Sequence, residues 1–242
     1  MGIFEYNTKV NLCDIGENNM LTNKSILEYL QEAASAHSDS AGYGLNDVPN
    51  THLGWIILNW RLKVFSRPLW NTKITVKTWS RPIEKLYFYR DFEMYDGNNN
   101  LIAIASSKWL LINTETHAIQ RALPGMNEKY DSLDKLVFDT PMIEKLKEPE
   151  NSQVTFEYII QRRDIDTNHH VNNLHYLEYA YEALPNDVFV NNDFKNVEIM
   201  YKHEAKLCDN IIGLYSCNEN NEHIVTIKGK ETDMLHAIIK LY

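Results

Sequence analysis

What this sequence lacks narrows the field first. It holds three cysteines among 242 residues, Cys13, Cys208 and Cys217. The number is odd and no CxxC spacing occurs, which argues against a disulfide framework and a cysteine-ligated zinc site. Isolated cysteines of this kind are expected to be buried as small hydrophobes. Apolar runs such as Trp109–Ile112 are far too short to span a bilayer. The opening MGIFEYNTKV has neither a basic-then-apolar signal pattern nor a Ser/Arg-rich transit pattern, so a mature cytoplasmic chain with no membrane partner is expected. Positive charge is also scarce. Lys and Arg total 24 against 33 Asp and Glu, and the net charge of −9 argues against nucleic acid as a partner.

What remains is the composition of a globular protein, 44% hydrophobic and 11% aromatic. The scarce positive charge is concentrated. Between Trp60 and Arg90 stand Arg61, Lys63, Arg67, Lys73, Lys77, Arg81, Lys85 and Arg90 against one acid, Glu84, a local +7 that leaves −16 for the rest. A basic strip on an acidic protein can steer an acidic macromolecule; it also fits a set of solvated strand faces.

Comparing the chain with itself exposes a duplication. Shifted by 150 residues, Asp14–Ala33 aligns with Asp164–Ala183 without a gap, and nine of 20 positions are identical. They are Asp14/Asp164, Ile15/Ile165, Asn18/Asn168, Asn23/Asn173, Leu27/Leu177, Glu28/Glu178, Tyr29/Tyr179, Glu32/Glu182 and Ala33/Ala183. Average composition gives about one or two matches over such a window. In each copy a polar turn leads into an apolar-striped helix, closed by Gly42 and Gly44 in the first and by Pro185 in the second. Strands are then expected at Trp55–Val64, Lys73–Trp79, Leu86–Tyr95 and Leu101–Ile112, with a hairpin turn at Asp96-Gly97. Their second-half counterparts are Val197–Glu204, Asn210–Cys217, His223–Gly229 and Leu235–Leu241, with Gln153–Ile160 opening that half.

One long helix followed by antiparallel strands predicts an α+β fold, a sheet curled around its helix. Two copies give a tandem, or double, hotdog in which one chain imitates a dimer, whether as a monomer or as a homodimer. The expected division is 1–120 for a non-catalytic copy lining a pocket, 121–152 for a linker with a short helix near Met142–Lys147, and 153–242 for a catalytic copy.

The densest polar cluster is Arg162-Arg163-Asp164-Ile165-Asp166-Thr167-Asn168-His169-His170-Val171-Asn172-Asn173. It resembles the motif D-x-D-x-N-x-H-V-N-N of the acyl-acyl carrier protein thioesterases, which end fatty acid synthesis, and matches every fixed position. The resemblance extends over nearly the whole chain. It implies Asp166, Asn168 and His170 as catalytic residues, and Glu204 from a strand resembling L-x-Y-x-x-E-C. Here that strand ends Glu204-Ala205, so the family's cysteine is missing and no thiol nucleophile stands at that position.

The residues themselves suit this chemistry. Thioester hydrolysis needs an activated water, a donor for the developing oxyanion and groups that hold both. Alternation along an extended segment would place Asp166, Asn168 and His170 on one side. Asn168 and backbone N–H groups at the helix start would polarise the carbonyl, His170 would hold the thioester or protonate the leaving thiolate, and Asp166 would orient its partners, with the role of base or nucleophile open between Glu204 and Asp166. Under the shift of 150, Gly16, Asn18 and Met20 face Asp166, Asn168 and His170, so one site per chain is expected, in the second copy. His169, His170, His175 and Asp164 lack any recognised metal-ligand spacing, and water attack on a thioester requires no cofactor. Asn172 and Asn173 read as helix caps. The partner implied is acyl carrier protein, whose acidic surface would meet Arg61, Lys63, Arg67 and Arg81. The other readings are an acyl-CoA thioesterase, a hotdog hydratase or dehydratase, and a non-catalytic acyl sensor; the full polar set disfavours the last.

Overall fold

The computed structural model describes residues 2–83, 85–141 and 143–242. The chain divides into two compact units between Ile143 and Glu144.

The first unit opens with strand β1 (Phe4–Lys9), then helix α1 (Asn23–Ser40) and the single turn α2 (Val48–Thr51). Four long strands follow, β2 (Leu53–Val64), β3 (Lys73–Ser80), β4 (Tyr87–Asp96) and β5 (Leu101–Asn113), then the short β6 (Ile119–Gln120) and helix α3 (Met126–Tyr130). The sheet order is β1-β3-β4-β5-β2, antiparallel throughout, with β6 on β5. Helix α1 is capped by Thr22, whose side chain accepts the Ser25 N–H, and it lies on β1 and β3. Ile26, Leu27, Leu30 and Ala33 are buried along its inner face; each fully buried leucine contributes roughly 2 kcal/mol.

The second unit repeats this plan. It runs β7 (Gln153–Ile159), α4 (His175–Glu182), α5 (Asn186–Asn191), β8 (Asn196–Tyr201), β9 (Asn210–Cys217), β10 (His223–Gly229) and β11 (Leu235–Leu241). Its sheet order is β7-β9-β10-β11-β8, the order of the first unit strand for strand. The antiparallel α+β expectation therefore holds in both halves.

Several details differ from the sequence reading. The first copy also has its own opening strand, β1, legible in the alternating burial of FEYNTK. Helix α4 has eight residues against 18 in α1. It starts late because Asn172 does not cap it directly: its side chain accepts the Leu174 N–H and closes a turn one residue earlier. Pro185, three residues past Glu182, keeps the helix from continuing and leads into α5. No helix covers Ile143–Lys147, and Met142 lies outside the described residues. The helix of that region is α3, entered through Gly125 at φ 81°, with Met126 and Tyr130 buried in the first unit's core. All three cysteines are free and exposed rather than buried. Cys208 occupies a left-handed turn and Cys217 ends β9.

Beneath α1 a cation is buried with neutral partners. Arg90 Nη1 donates to His37 Nδ1 at 2.8 Å and to Thr78 Oγ1 at 3.3 Å, and its guanidinium lies 5.5 Å from the centre of the Tyr130 ring. Phe4 stacks on the other side of His37 at 5.2 Å. Burial, reinforced by the Arg90 charge, holds the His37 imidazole down at about 3, and burial lowers Arg90 to about 10. Below an ordinary histidine's value near 6.5 the unfolded chain takes a proton that the folded chain refuses. Stability should therefore fall continuously as pH drops from about 6.5 to about 3. Denaturant unfolding across that window should show a shallower fall for His37→Asn, which keeps an acceptor for Arg90; an unchanged slope would mean His37 is not the group responsible.

Candidate active site

The cluster ahead of α4 is a tight loop, not the extended segment whose alternation would put Asp166, Asn168 and His170 on one side. Ile165 and Val171 form an antiparallel bridge, and between them the chain turns back on itself. Asp166 N–H donates to His170 O at 2.8 Å, His169 N–H donates to Asp166 O at 3.1 Å, and His169 is left-handed at φ 64°. The Asp166 carboxylate accepts the Asn168 N–H at 2.8 Å. Asp-x-Asn is turn chemistry, an aspartate side chain satisfying the amide two residues on; the segment folds rather than extending.

Asp164 anchors the base of the loop. Buried, it accepts Gln161 N–H at 2.7 Å and the Tyr158 hydroxyl at 2.9 Å, closing the 3-10 turn Arg162–Asp164. Val171 N–H donates to Ala205 O at 2.9 Å, tying the loop to the segment after β8. That segment is not strand, since β8 ends at Tyr201, three residues before Glu204. The tie brings the two halves of the expected site together: His170 Nε2 stands 3.3 Å from Glu204 Oε1. His170 is largely shielded while Glu204 is 58% exposed, and the Asn168 side chain reaches solvent. Asp166 is close by in the chain but is committed to its own loop.

The remaining expectations resolve differently. Ala205 is fully buried, so the place of the family's cysteine faces inward. Cys208 lies in an irregular turn at φ 70°, its N–H bonded to Ile160 O. His175 Nδ1 pairs with Glu178 Oε2 one turn along α4.

The basic strip is not one surface. Arg81 is buried, donates to Pro141 O at 2.6 Å and cannot face a partner, which corrects its place in a carrier footprint. Arg67 is spent internally, donating to Leu21 O at 3.0 Å and Asn23 Oδ1 at 2.9 Å. Arg61 lies over Phe138 and bonds Thr140; Lys63 is exposed. Arg67 and Arg81 lie outside the strands and are taken up by contacts with Leu21, Asn23 and Pro141, which a charge count cannot register.

The first unit contains the same loop without the chemistry. Ile15 bridges Leu21, Gly16 N–H donates to Met20 O, Asn19 is left-handed, and buried Asp14 accepts Asn11 N–H and the Tyr29 hydroxyl. Leu21 N–H donates to Pro68 O as Val171 N–H does to Ala205 O, and Asn71 N–H to Val10 O as Cys208 N–H does to Ile160 O. Arg67 therefore holds the place of Glu204. An acid, an imidazole and a carboxylate in one copy stand against Gly16, Met20 and Arg67 in the other.

The fold is a duplicated hotdog in which only the second copy's loop carries Asp166 and His170. Residues 2–130 match the acyl-ACP thioesterase N-terminal domain and residues 147–238 its C-terminal domain. The chain belongs to the acyl-ACP thioesterase family. It is 26% identical over 251 residues to oleoyl-acyl carrier protein thioesterase 2, chloroplastic, of Arabidopsis thaliana, covering 93% of this chain and 66% of that protein, just under two thirds of its length. The crystal structure of an acyl-ACP thioesterase from Bacteroides thetaiotaomicron superposes with a TM-score of 0.87 at 22% identity, covering 99% of this chain and 97% of the other. The 12:0-ACP thioesterase from Umbellularia californica gives 0.85 at 18% identity, covering 100% and 96%.

Proposed function

We propose that this protein hydrolyses fatty acyl thioesters carried on acyl carrier protein, releasing free fatty acid and so ending chain synthesis. The observation that carries the reading is the His170–Glu204 pair at 3.3 Å, present in one copy and replaced by Met20 and Arg67 in the other. Glu204, exposed and 3.3 Å from the His170 imidazole nitrogen, takes a proton from water as the water oxygen attacks the thioester carbon. The carbonyl oxygen gathers charge, and the Asn168 amide is the free donor that can meet it. The carbon–sulfur bond then breaks, and the proton passes through His170 to the departing thiolate, giving carboxylic acid and carrier thiol. Asp166, bound to the Asn168 N–H, shapes the loop rather than reacting.

The carrier is read by exposed cations. Arg162 and Arg163 lie on the loop's approach and Lys202 and Lys206 flank Glu204, all exposed, and from the original strip Arg61 and Lys63 remain. The reading includes a cytoplasmic location, which cell fractionation would check.

Incubation with long-chain acyl carrier protein, the matching acyl-CoA and an enoyl thioester decides among the activities. Free fatty acid is expected, with kcat/KM higher on the carrier substrate. Charge reversal at Arg162 and Lys206 should raise KM for the carrier substrate several-fold and leave a short thioester mimic unaffected, since rim charges act mainly on encounter. Formation of hydroxyacyl thioester without free acid would overturn the hydrolase reading, and equal changes on both substrates would remove these cations from the carrier contact.

A further inference from the structure

Glu204 sits in an irregular stretch between β8 and β9, where no ladder fixes its backbone. Something else must, because a carboxylate that is to hold a water against a carbonyl needs placement to within a fraction of an ångström. One tie is the bond from Val171 N–H to Ala205 O. The other comes from α4. Ala205 N–H donates to the hydroxyl oxygen of Tyr176 at 3.0 Å in a fully buried setting. The peptide groups of the residue following Glu204 are thus held on one side by the residue following His170 and on the other by the helix.

Tyr176 is itself rigid. It is 3% exposed, its ring lies edge-on to Tyr179 and Tyr201 at 6.0 Å from each, and His236 stacks at 6.5 Å. His236 holds the preceding residue in turn, its Nδ1 being 2.9 Å from His203 O. Burial, with Glu204, Asp209 and Asp166 nearby, pushes the phenol far above its usual range, so it stays neutral and keeps its hydroxyl. The duplication supplies an independent comparison. At the equivalent position of α1 the first copy has Ile26, a buried hydrocarbon of similar role in packing but with no hydroxyl. A phenol is present where the carboxylate is, and is absent from the copy that has Arg67.

We propose that Tyr176 is a positioning residue for Glu204, acting through the Ala205 amide to hold the carboxylate against His170. The inference rests on the reading of Glu204 and His170 as the reacting pair. The test is a double-mutant cycle of Tyr176→Phe and Glu204→Gln on acyl carrier protein substrate, in proteins whose melting curves show cooperative folding. Tyr176→Phe should lower kcat roughly 10- to 100-fold with KM nearly unchanged, the cost of a misplaced catalytic group. In the Glu204→Gln background it should cost almost nothing further. An equal cost in both backgrounds would make Tyr176 a structural residue and overturn the proposal. Wild-type activity in Glu204→Gln alone would instead overturn the reading of the site, whatever Tyr176 does. Hydrogen exchange on the wild-type enzyme gives a measurement that needs no variant: the Ala205 amide should exchange as slowly as the Val171 amide, and rapid exchange there would refute the bond.

Discussion

His170→Ala and Glu204→Ala are each expected to lower kcat on carrier-bound acyl substrate by about 10²- to 10⁴-fold, the range of a lost proton-transfer group, while Asn18→Ala leaves turnover near wild type. The contrast follows from the two copies. Both loops share one frame, but only the second puts an imidazole 3.3 Å from a carboxylate. Removing the Glu204 side chain should disturb folding little, because it is mostly exposed and substitutions at such positions usually shift stability by about 0.5 kcal/mol or less. The Glu204→Ala melting curve should therefore overlay the wild type. Asn18 is an exposed loop residue whose side-chain Oδ1 accepts its own loop's Met20 N–H at 3.0 Å, so its loss is local to the first unit. Comparable losses from Asn18→Ala and His170→Ala in folded proteins would refute a single site in the second copy. A Glu204→Ala enzyme at full speed would refute the pair.

How much of the fold and the site is legible in the sequence depends on which signal carries it. Apart from Asn18/Asn168, the identities left by the duplication that can be placed in the structure prove to be scaffold. Asp14 and Asp164 anchor their loops, Ile15 and Ile165 make the bridges, and Leu27, Leu177, Ala33 and Ala183 are fully buried. The chemistry lies in the differences, Gly16 against Asp166 and Met20 against His170, and both differences stand in the ungapped alignment of the two copies. Arg67 against Glu204 does not, because the copies fall out of step after their helices and only matching backbone bonds restore the alignment. Tyr176 against Ile26 is visible there but silent, since a tyrosine on an apolar helix face reads as core. Apart from β1, β6 and the end of β8, the strands are legible to within about two residues because alternation and turn residues are local. The division of the basic strip into faces is not, because Arg81 is buried by the segment through Pro141, sixty residues away.

Asp166 offers the second large effect, and its two substitutions should part company. Asp166→Asn is expected to keep kcat within about tenfold of wild type, the worth of one weakened hydrogen bond, whereas Asp166→Ala should lose about 100-fold, as a misplaced catalytic group does. The reason is visible in the first copy. There the position holds Gly16, which offers no acceptor, and the loop is closed instead by Asn18 Oδ1 accepting Met20 N–H. In the second copy Asp166 Oδ1 takes the Asn168 N–H, and the Asn168 side chain is left free in solvent. An alanine at 166 should let Asn168 adopt the Asn18 arrangement, bonding the His170 N–H and withdrawing its amide from the carbonyl it is to polarise. An asparagine at 166 still presents an oxygen to the Asn168 N–H and prevents that capture. Asn168→Ala should accordingly cost little more once Asp166→Ala is in place. If Asp166 were itself the nucleophile or base, asparagine, which has no ionisable oxygen, would be as inactive as alanine, and equal loss in the two variants would transfer the reacting role from Glu204 to Asp166.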